Sequence, residues 1–168
     1  MTTSHRTITD SSPTTADVAA TAAQFLTPVV IDLEAMVVNG KQAHWHARGA
    51  NFIGIHELLD VVVAHAQEYA DTAAERVIAL GLPLDARVTT VAKKTTLPMP
   101  AAGFQGWEAT VAEVVGMIDA ALVTVRAAVD GLEKDVSTQD VAIEIERGLY
   151  SFWQQEAEAA KKAGRLAK

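Results

Sequence analysis

Residues 41–81 read KQAHWHARGANFIGIHELLDVVVAHAQEYADTAAERVIALG, and this stretch decides both the fold and the chemistry. Apolar positions at Ile55, Leu59, Val62, Tyr69, Ala73 and Leu80 follow helical spacing and predict a helix from about Gly54 to Leu80. Gly81 and Pro83 follow in the usual stopping order. His56 and Asp60 are four residues apart on this helix, as are Asp71 and Glu75, so each pair projects from one face. At about 100° per residue, all four fall within an arc of roughly 100°. They share a face but not a location. Asp60 and Asp71 are eleven residues apart, about 16 Å along a helix axis. Bonds from a metal to such donors are about 2 Å long, so one ion cannot take both pairs from one chain.

A two-fold axis removes the difficulty. If the helix packs antiparallel against its copy, His56 and Asp60 of one chain face Asp71 and Glu75 of the other, giving two identical sites. The midpoint between the pairs falls near residues 65 and 66, which places His65, Ala66 and the next turn either way closest to the axis. Ala66 is small enough for a close crossing, and two protonated His65 rings there would repel. His44, at the end of the preceding helix, approaches His56 across a short loop. Two imidazoles and carboxylates with room for water suit Fe(II), an ion that changes oxidation state and needs an open position. Ordinary surface charge on an amphipathic helix would give the same spacing. The spacing alone leaves both readings open.

Working outward, residues 1–15 are rich in Ser and Thr and carry no apolar periodicity, so a flexible tail is expected. From Ala16 an apolar stripe runs through Val18, Ala22, Phe25, Val29, Leu33, Val37 and Gly40 to about His46. Pro28 lies inside it and predicts a kink or a break into two helices. Ala47 to Phe52 reads as a loop. The stretch from Gly81 to Gly106 is too long for a bare loop, and a short helix near Asp85 to Lys93 is expected before Pro98-Met99-Pro100. A third long helix is expected from Trp107 to Leu132, on Val111, Val114, Ile118, Leu122, Val125 and Val129. Ser137 with Asp140 looks like a capping box that opens a fourth, running to about Ala163. Residues 164–168 then form a short basic tail. Four long helices with one long crossover describe an all-α, ferritin-like four-helix bundle over residues 16–163, with a short extra helix between helices two and three.

Composition agrees. Of 168 residues, 49% are hydrophobic but only 5% aromatic, and Ala-rich sequence of this kind favours packed helices over a sheet sandwich. There is no cysteine, which excludes a disulfide scaffold, a thiolate metal site and a cysteine nucleophile. The formal net charge of −7 argues against a protein that coats nucleic acid. No uninterrupted apolar run of membrane-spanning length and no signal-peptide pattern is evident. A soluble cytoplasmic protein, nucleoid-associated if DNA is bound, is the expectation.

His44-Trp45, Gly49, Asn51-Phe52, His56-Glu57-Leu58-Leu59-Asp60 and Asp71-Thr72-Ala73-Ala74-Glu75-Arg76 together closely resemble the signature of the Dps family, the mini-ferritins named as DNA-binding proteins from starved cells. The resemblance implies a hollow homo-dodecamer with ferroxidase sites at its two-fold interfaces. Each site would be built from His44, His56, Asp60, Asp71 and Glu75, all present without substitution. It further implies oxidation of Fe(II), typically by hydrogen peroxide, and storage of iron (Fe2+/Fe3+) as ferric mineral, with protection against oxidative stress. Trp45 would lie near the metal and quench radicals; a packed aromatic is the competing account. His46 would be a secondary iron ligand or a surface group. By the same resemblance Asp135, Asp140 and Glu144 would line pores at three-fold axes, against a plain role as charge at a helix start. No His has Glu three residues before it, so the Glu-x-x-His motif of larger di-iron bundles is absent. Two other functions remain: a metal-dependent hydrolase using the same His/carboxylate site, and a protein that mainly packs nucleoid DNA.

DNA binding in such proteins depends on mobile basic tails. The N-terminal tail offers only Arg6 and His5, balanced by Asp10, whereas Lys161, Lys162, Arg165 and Lys168 make a short basic patch. Twelve such patches would act through multivalency against an acidic shell, giving weak, salt-sensitive association. Removing residues 161–168 is therefore expected to abolish any gel shift seen at low salt, and removing residues 1–14 to matter little. A shift that survives the C-terminal truncation and high salt would place the cationic surface elsewhere.

Overall fold

The structure is a computed structural model that describes residues 16–166; of residues 155–157 and 159–166 it describes the backbone alone. The tail expected over residues 1–15 lies outside the described residues, as do Lys168 and the side chains of Lys161, Lys162 and Arg165. The chain forms α1 (Ala16–His46), β1 (Ala47–Arg48), α2 (Phe52–Ala79), α3 (Val88–Lys94), β2 (Gln105–Gly106), α4 (Trp107–Gly131) and α5 (Val136–Leu166). The four long helices make an all-α, ferritin-like bundle, with α3 in the crossover between α2 and α4.

α1 passes through Pro28 as one helix, so the expected break into two helices does not occur. α1 is also long and apolar enough to cross a membrane by length and composition, which the sequence reading did not anticipate. Its apolar side is used otherwise: Leu26, Val29, Leu33 and Met36 are buried in the bundle core. They meet Ile55 and Leu59 of α2, Met117 and Ile118 of α4, and Ile145 and Leu149 of α5. Small residues set the helix spacing. Ala66, Ala70 and Ala73 of α2 are buried, and Gly148 of α5 lies under Tyr69, whose hydroxyl a Cβ there would overlap.

Strand pairing occurs where the sequence suggested only loop. β1 and β2 pair in parallel, Ala47 with Gln105 and Arg48 with Gly106. They tie the end of α1 to the start of α4. The direction of α4 thus follows that of α2, and the segment between them must return along the bundle. Buried Asp32 of α1 holds that return. It accepts hydrogen bonds from Thr95 Oγ1 (2.9 Å), Thr96 N–H (2.7 Å), Thr96 Oγ1 (2.8 Å) and Thr124 Oγ1 (2.7 Å). A carboxyl group is costly to bury without hydrogen-bond partners; four donors from α4 and the crossover satisfy it.

α5 starts at Val136, one residue before the expected cap, and runs to Leu166 rather than Ala163. Asp135 is the capping residue in place of the Ser137/Asp140 box. Its Oδ1 accepts the Thr138 N–H at 3.3 Å, and its Oδ2 accepts the Thr138 hydroxyl. Arg76 of α2 closes the network, donating to Thr138 Oγ1 at 2.7 Å and to Asp135 Oδ2 at 3.3 Å. Burial pushes the Asp135 carboxyl up, but the Thr138 hydrogen bonds and the Arg76 charge outweigh it and hold the group below the usual carboxylate range. The folded state therefore favours the ionised form. Its contribution is present above the unfolded carboxylate pKa of about 4 and is lost as pH falls through the folded value. Asp135→Ala is expected to cost about 1 kcal/mol, read as a lower melting temperature at pH 7. The gap from wild type should narrow as the pH is lowered below about 4; a gap that widens in acid would refute the capping role.

Candidate metal centre

The turn from β1 into α2 returns the chain sharply enough to bring the last turn of α1 against the first turns of α2. Gly49 makes the turn, at φ 115°, a left-handed conformation that a side chain disfavours. A Cβ there would lie 2.9 Å from Trp107 Cδ1, so the turn is closed by the buried Trp107 ring.

His44 and His56 meet across this turn as stacked rings, centroids 3.4 Å apart and planes inclined by 29°. Each braces the other's backbone. His44 Nδ1 lies 3.0 Å from the His56 carbonyl and His56 Nδ1 lies 3.3 Å from the His44 carbonyl. Carbonyl oxygens only accept, so each Nδ1 carries a proton, which in a neutral ring leaves Nε2 as the free acceptor. That is the tautomer a metal-binding imidazole needs, fixed by hydrogen bonds to its other nitrogen. The His44 carbonyl belongs to the last turn of α1, where helical partners run out, so His56 also caps that helix.

Asp60, one turn beyond His56, completes the group: His44, His56 and Asp60 offer ligand atoms within 4.8 Å of one another. Asp60 Oδ1 is 3.3 Å from His44 Nδ1 and 2.7 Å from Lys41 Nζ. Burial lowers the His44 pKa, and the charges of His56 and Lys41 add to that, while Asp60 opposes it; the neutral ring prevails. The Lys41 hydrogen bond holds the Asp60 carboxyl below its usual range. Two imidazole nitrogens and a carboxylate, with no thiolate, fit Fe(II) or a similar borderline ion.

Asp71 and Glu75 do not join this group within the chain. Both are exposed on α2, along the same outward face as Asp60. The residues expected nearest a two-fold crossing differ in the direction they point. Ala66 is 1% exposed and lies in its own subunit's core. His65 is half-buried: its Nδ1–H donates to the Val61 carbonyl at 2.9 Å, and its ring lies 4.9 Å from Phe152 of α5. Close to the midpoint between the two ligand pairs, Ala64 is small and exposed. Its side chain leaves the outward direction free, because positions 60, 64, 71 and 75 share one face.

Trp45 is 58% exposed on the end of α1. His46 Nδ1–H donates to the Gln42 carbonyl at 2.8 Å, and its ring lies 5.4 Å from Phe104, over which the Arg48 guanidinium sits at 4.0 Å. A nearby guanidinium disfavours a second cation there. Of the three acids compared with pore linings, Asp135 is engaged in the α5 cap, while Asp140 and Glu144 are exposed on α5. Lys41 and Asp32 were not singled out from the sequence. The signal for Lys41 was its place three residues before His44, one turn along the same face; for Asp32 it was a lone acid inside the apolar run Val29 to Leu33.

Residues 32–148 match the ferritin-like domain family, and fold and site together define a ferritin-like helix-bundle protein. The structure of Dps from Microbacterium arborescens in the high iron form superimposes with a TM-score of 0.82 at 57% identity, covering 92% of this chain and 97% of that one. The DNA protection during starvation protein of Agrobacterium fabrum is 52% identical over 52 residues, 31% of this chain and 30% of its own length. DNA protection during starvation protein 2 of Deinococcus radiodurans is 33% identical over 81 residues, 48% of this chain and 34% of its own. The chain spans about a third of the length of these curated relatives. It belongs to the Dps family of ferritin-like proteins.

The two glycines around this turn should behave oppositely on substitution. Gly49→Ala meets both the positive φ and the Trp107 ring and is expected to cost about 1–3 kcal/mol. Gly54→Ala places a Cβ no closer than 3.4 Å to Asn51 Oδ1 and gains helix propensity, so it should be neutral or stabilising. Thermal melting of the two variants checks this; equal losses would show that the turn is not closed by Trp107.

Proposed function

We propose that this protein binds and oxidises Fe(II) at sites shared between subunits and stores the product as ferric mineral inside a hollow homo-oligomeric shell, a dodecamer by family resemblance. The observation that carries this is the division of donors on the chain. His44, His56 and Asp60 converge, with each imidazole braced through Nδ1 on the other's backbone carbonyl, while Asp71 and Glu75 stand exposed on the same face of α2, too far away to join them. An antiparallel copy of α2, crossing near Ala64, supplies the missing carboxylates. With hydrogen peroxide as oxidant, two Fe(II) ions each give one electron, and both electrons go into the O–O bond, which breaks to give oxygen at the oxidation level of water. Iron is the substrate here, and the reaction removes both reagents of hydroxyl-radical formation. Exposed Trp45, beside His44, is suitably placed to intercept stray one-electron oxidants. DNA association is weak and rests on Lys161, Lys162, Arg165 and Lys168. A hydrolase reading finds no support in the cavities around Asp17 and Gly131 or around Pro28 and Lys94, which contain none of the five ligands.

Fe(II) added anaerobically, then peroxide, should give ferric absorbance in wild-type shells. His44→Ala and Asp60→Ala should assemble but lose initial rate by an order of magnitude or more, as loss of metal-site residues does. Mixing tests the sharing directly. Shells of a His56→Ala/Asp60→Ala chain and of an Asp71→Ala/Glu75→Ala chain are each expected to be inactive. Interfaces between one chain of each kind carry one intact and one doubly broken site, so oxidation should return on co-assembly. Properly mixed shells with no recovery would show that the ligands are not divided between subunits.

A further inference from the structure

Lys41 is one turn before His44 on α1, and its ammonium lies 2.7 Å from Asp60 Oδ1. The same oxygen lies 3.3 Å from His44 Nδ1, whose hydrogen bond goes to the His56 carbonyl. Both are donors, and an ammonium has no lone pair with which to join a metal's coordination shell. A metal ion approaching Asp60 through this oxygen meets a cation already in place.

We propose that Lys41 is the resident counter-cation of the Asp60 half-site, which an arriving divalent ion must displace, and that it thereby sets the affinity of the site for metal. This rests on the reading that the His44, His56 and Asp60 group takes a divalent ion. The geometry supplies a way out for the ammonium. In the single chain the Lys41 side chain is 32% exposed and that of Asp60 52%, and a flexible four-carbon stem lets the head swing away from the carboxylate. Displacement then breaks one ion pair outside the bundle core and leaves the core untouched. It also discriminates by charge. The Lys41–Asp60 pair is neutral, so a monovalent ion gains little by replacing the ammonium, whereas a divalent ion doubles the charge facing the carboxylate.

A merely structural role would have the opposite sign. If Lys41 only held Asp60 in position, removing it would loosen the carboxylate and weaken metal binding; if it competes, removing it tightens binding. Zn(II), which does not change oxidation state, separates the two by titration calorimetry on assembled shells, with the His56→Ala/Asp60→Ala shell as background. Lys41→Met should bind Zn(II) about fivefold more tightly than wild type, the factor expected when that ion pair no longer has to be broken. Lys41→Arg keeps the charge and should stay near wild type. Equal or weaker binding by Lys41→Met, with wild type binding above background, overturns the proposal. Failure of wild type and Lys41→Met alike to exceed the background overturns the metal-site reading itself.

Discussion

The bundle depends on a buried acid, Asp32, whose hydrogen-bond partners among the described residues are uncharged. α2 and α4 run in the same direction, so the chain between them must travel back along the bundle, and Asp32 is where that return is fastened. Three threonine hydroxyls and one backbone N–H surround its carboxylate, drawn from the crossover and from α4. With the crossover held, β2 can reach β1 and Trp107 can close over Gly49. The turn that brings His44 to His56 is then enclosed on its outer side. The clamp and His44 lie on the same helix, so order in one supports geometry in the other.

Helices with a repeating apolar face were legible in the sequence, since burial selects residues at regular steps. Val111, Val114, Ile118, Leu122 and Val125 are all buried on α4, as the period requires. What escaped were features built from single contacts between distant segments. Pro28 forfeits one backbone hydrogen bond, yet α1 continues because the core holds both sides of it. The two-residue pairing of β1 with β2 has no periodic signal. The cap of α5 fell to Asp135 instead of Ser137 because Arg76, from another helix, rewards that choice.

The candidate ligands show the same division. His56 and Asp60 are paired by helix geometry alone, and that part was readable from spacing. The meeting of His44 with His56 required a loop whose shape depends on Trp107, far along the chain. The span expected near the crossing was set by position along the axis alone, without direction around it, and so took in Ala66, which points into the core. Ala64 lies nearly as close to the midpoint but points outward, and two residues of rotation separate a surface contact from a core residue. Lys41 was overlooked because basic residues are not metal ligands, although its charge is what Asp60 meets first.

The outward face of α2 carries acids on both sides of Ala64, while Ala70 and Ala73 of the same helix pack into the core. One residue inserted between Asp60 and Asp71 would turn everything beyond it by about 100°, carrying the carboxylates of Asp71 and Glu75 toward the core side of the helix. A point substitution in that interval alters one side chain, whereas an insertion or deletion rewrites the environment of a whole half-helix. Over evolutionary time this segment should therefore drift freely in composition yet keep its length, so that length constancy, more than residue identity, is the trace it leaves among descendants.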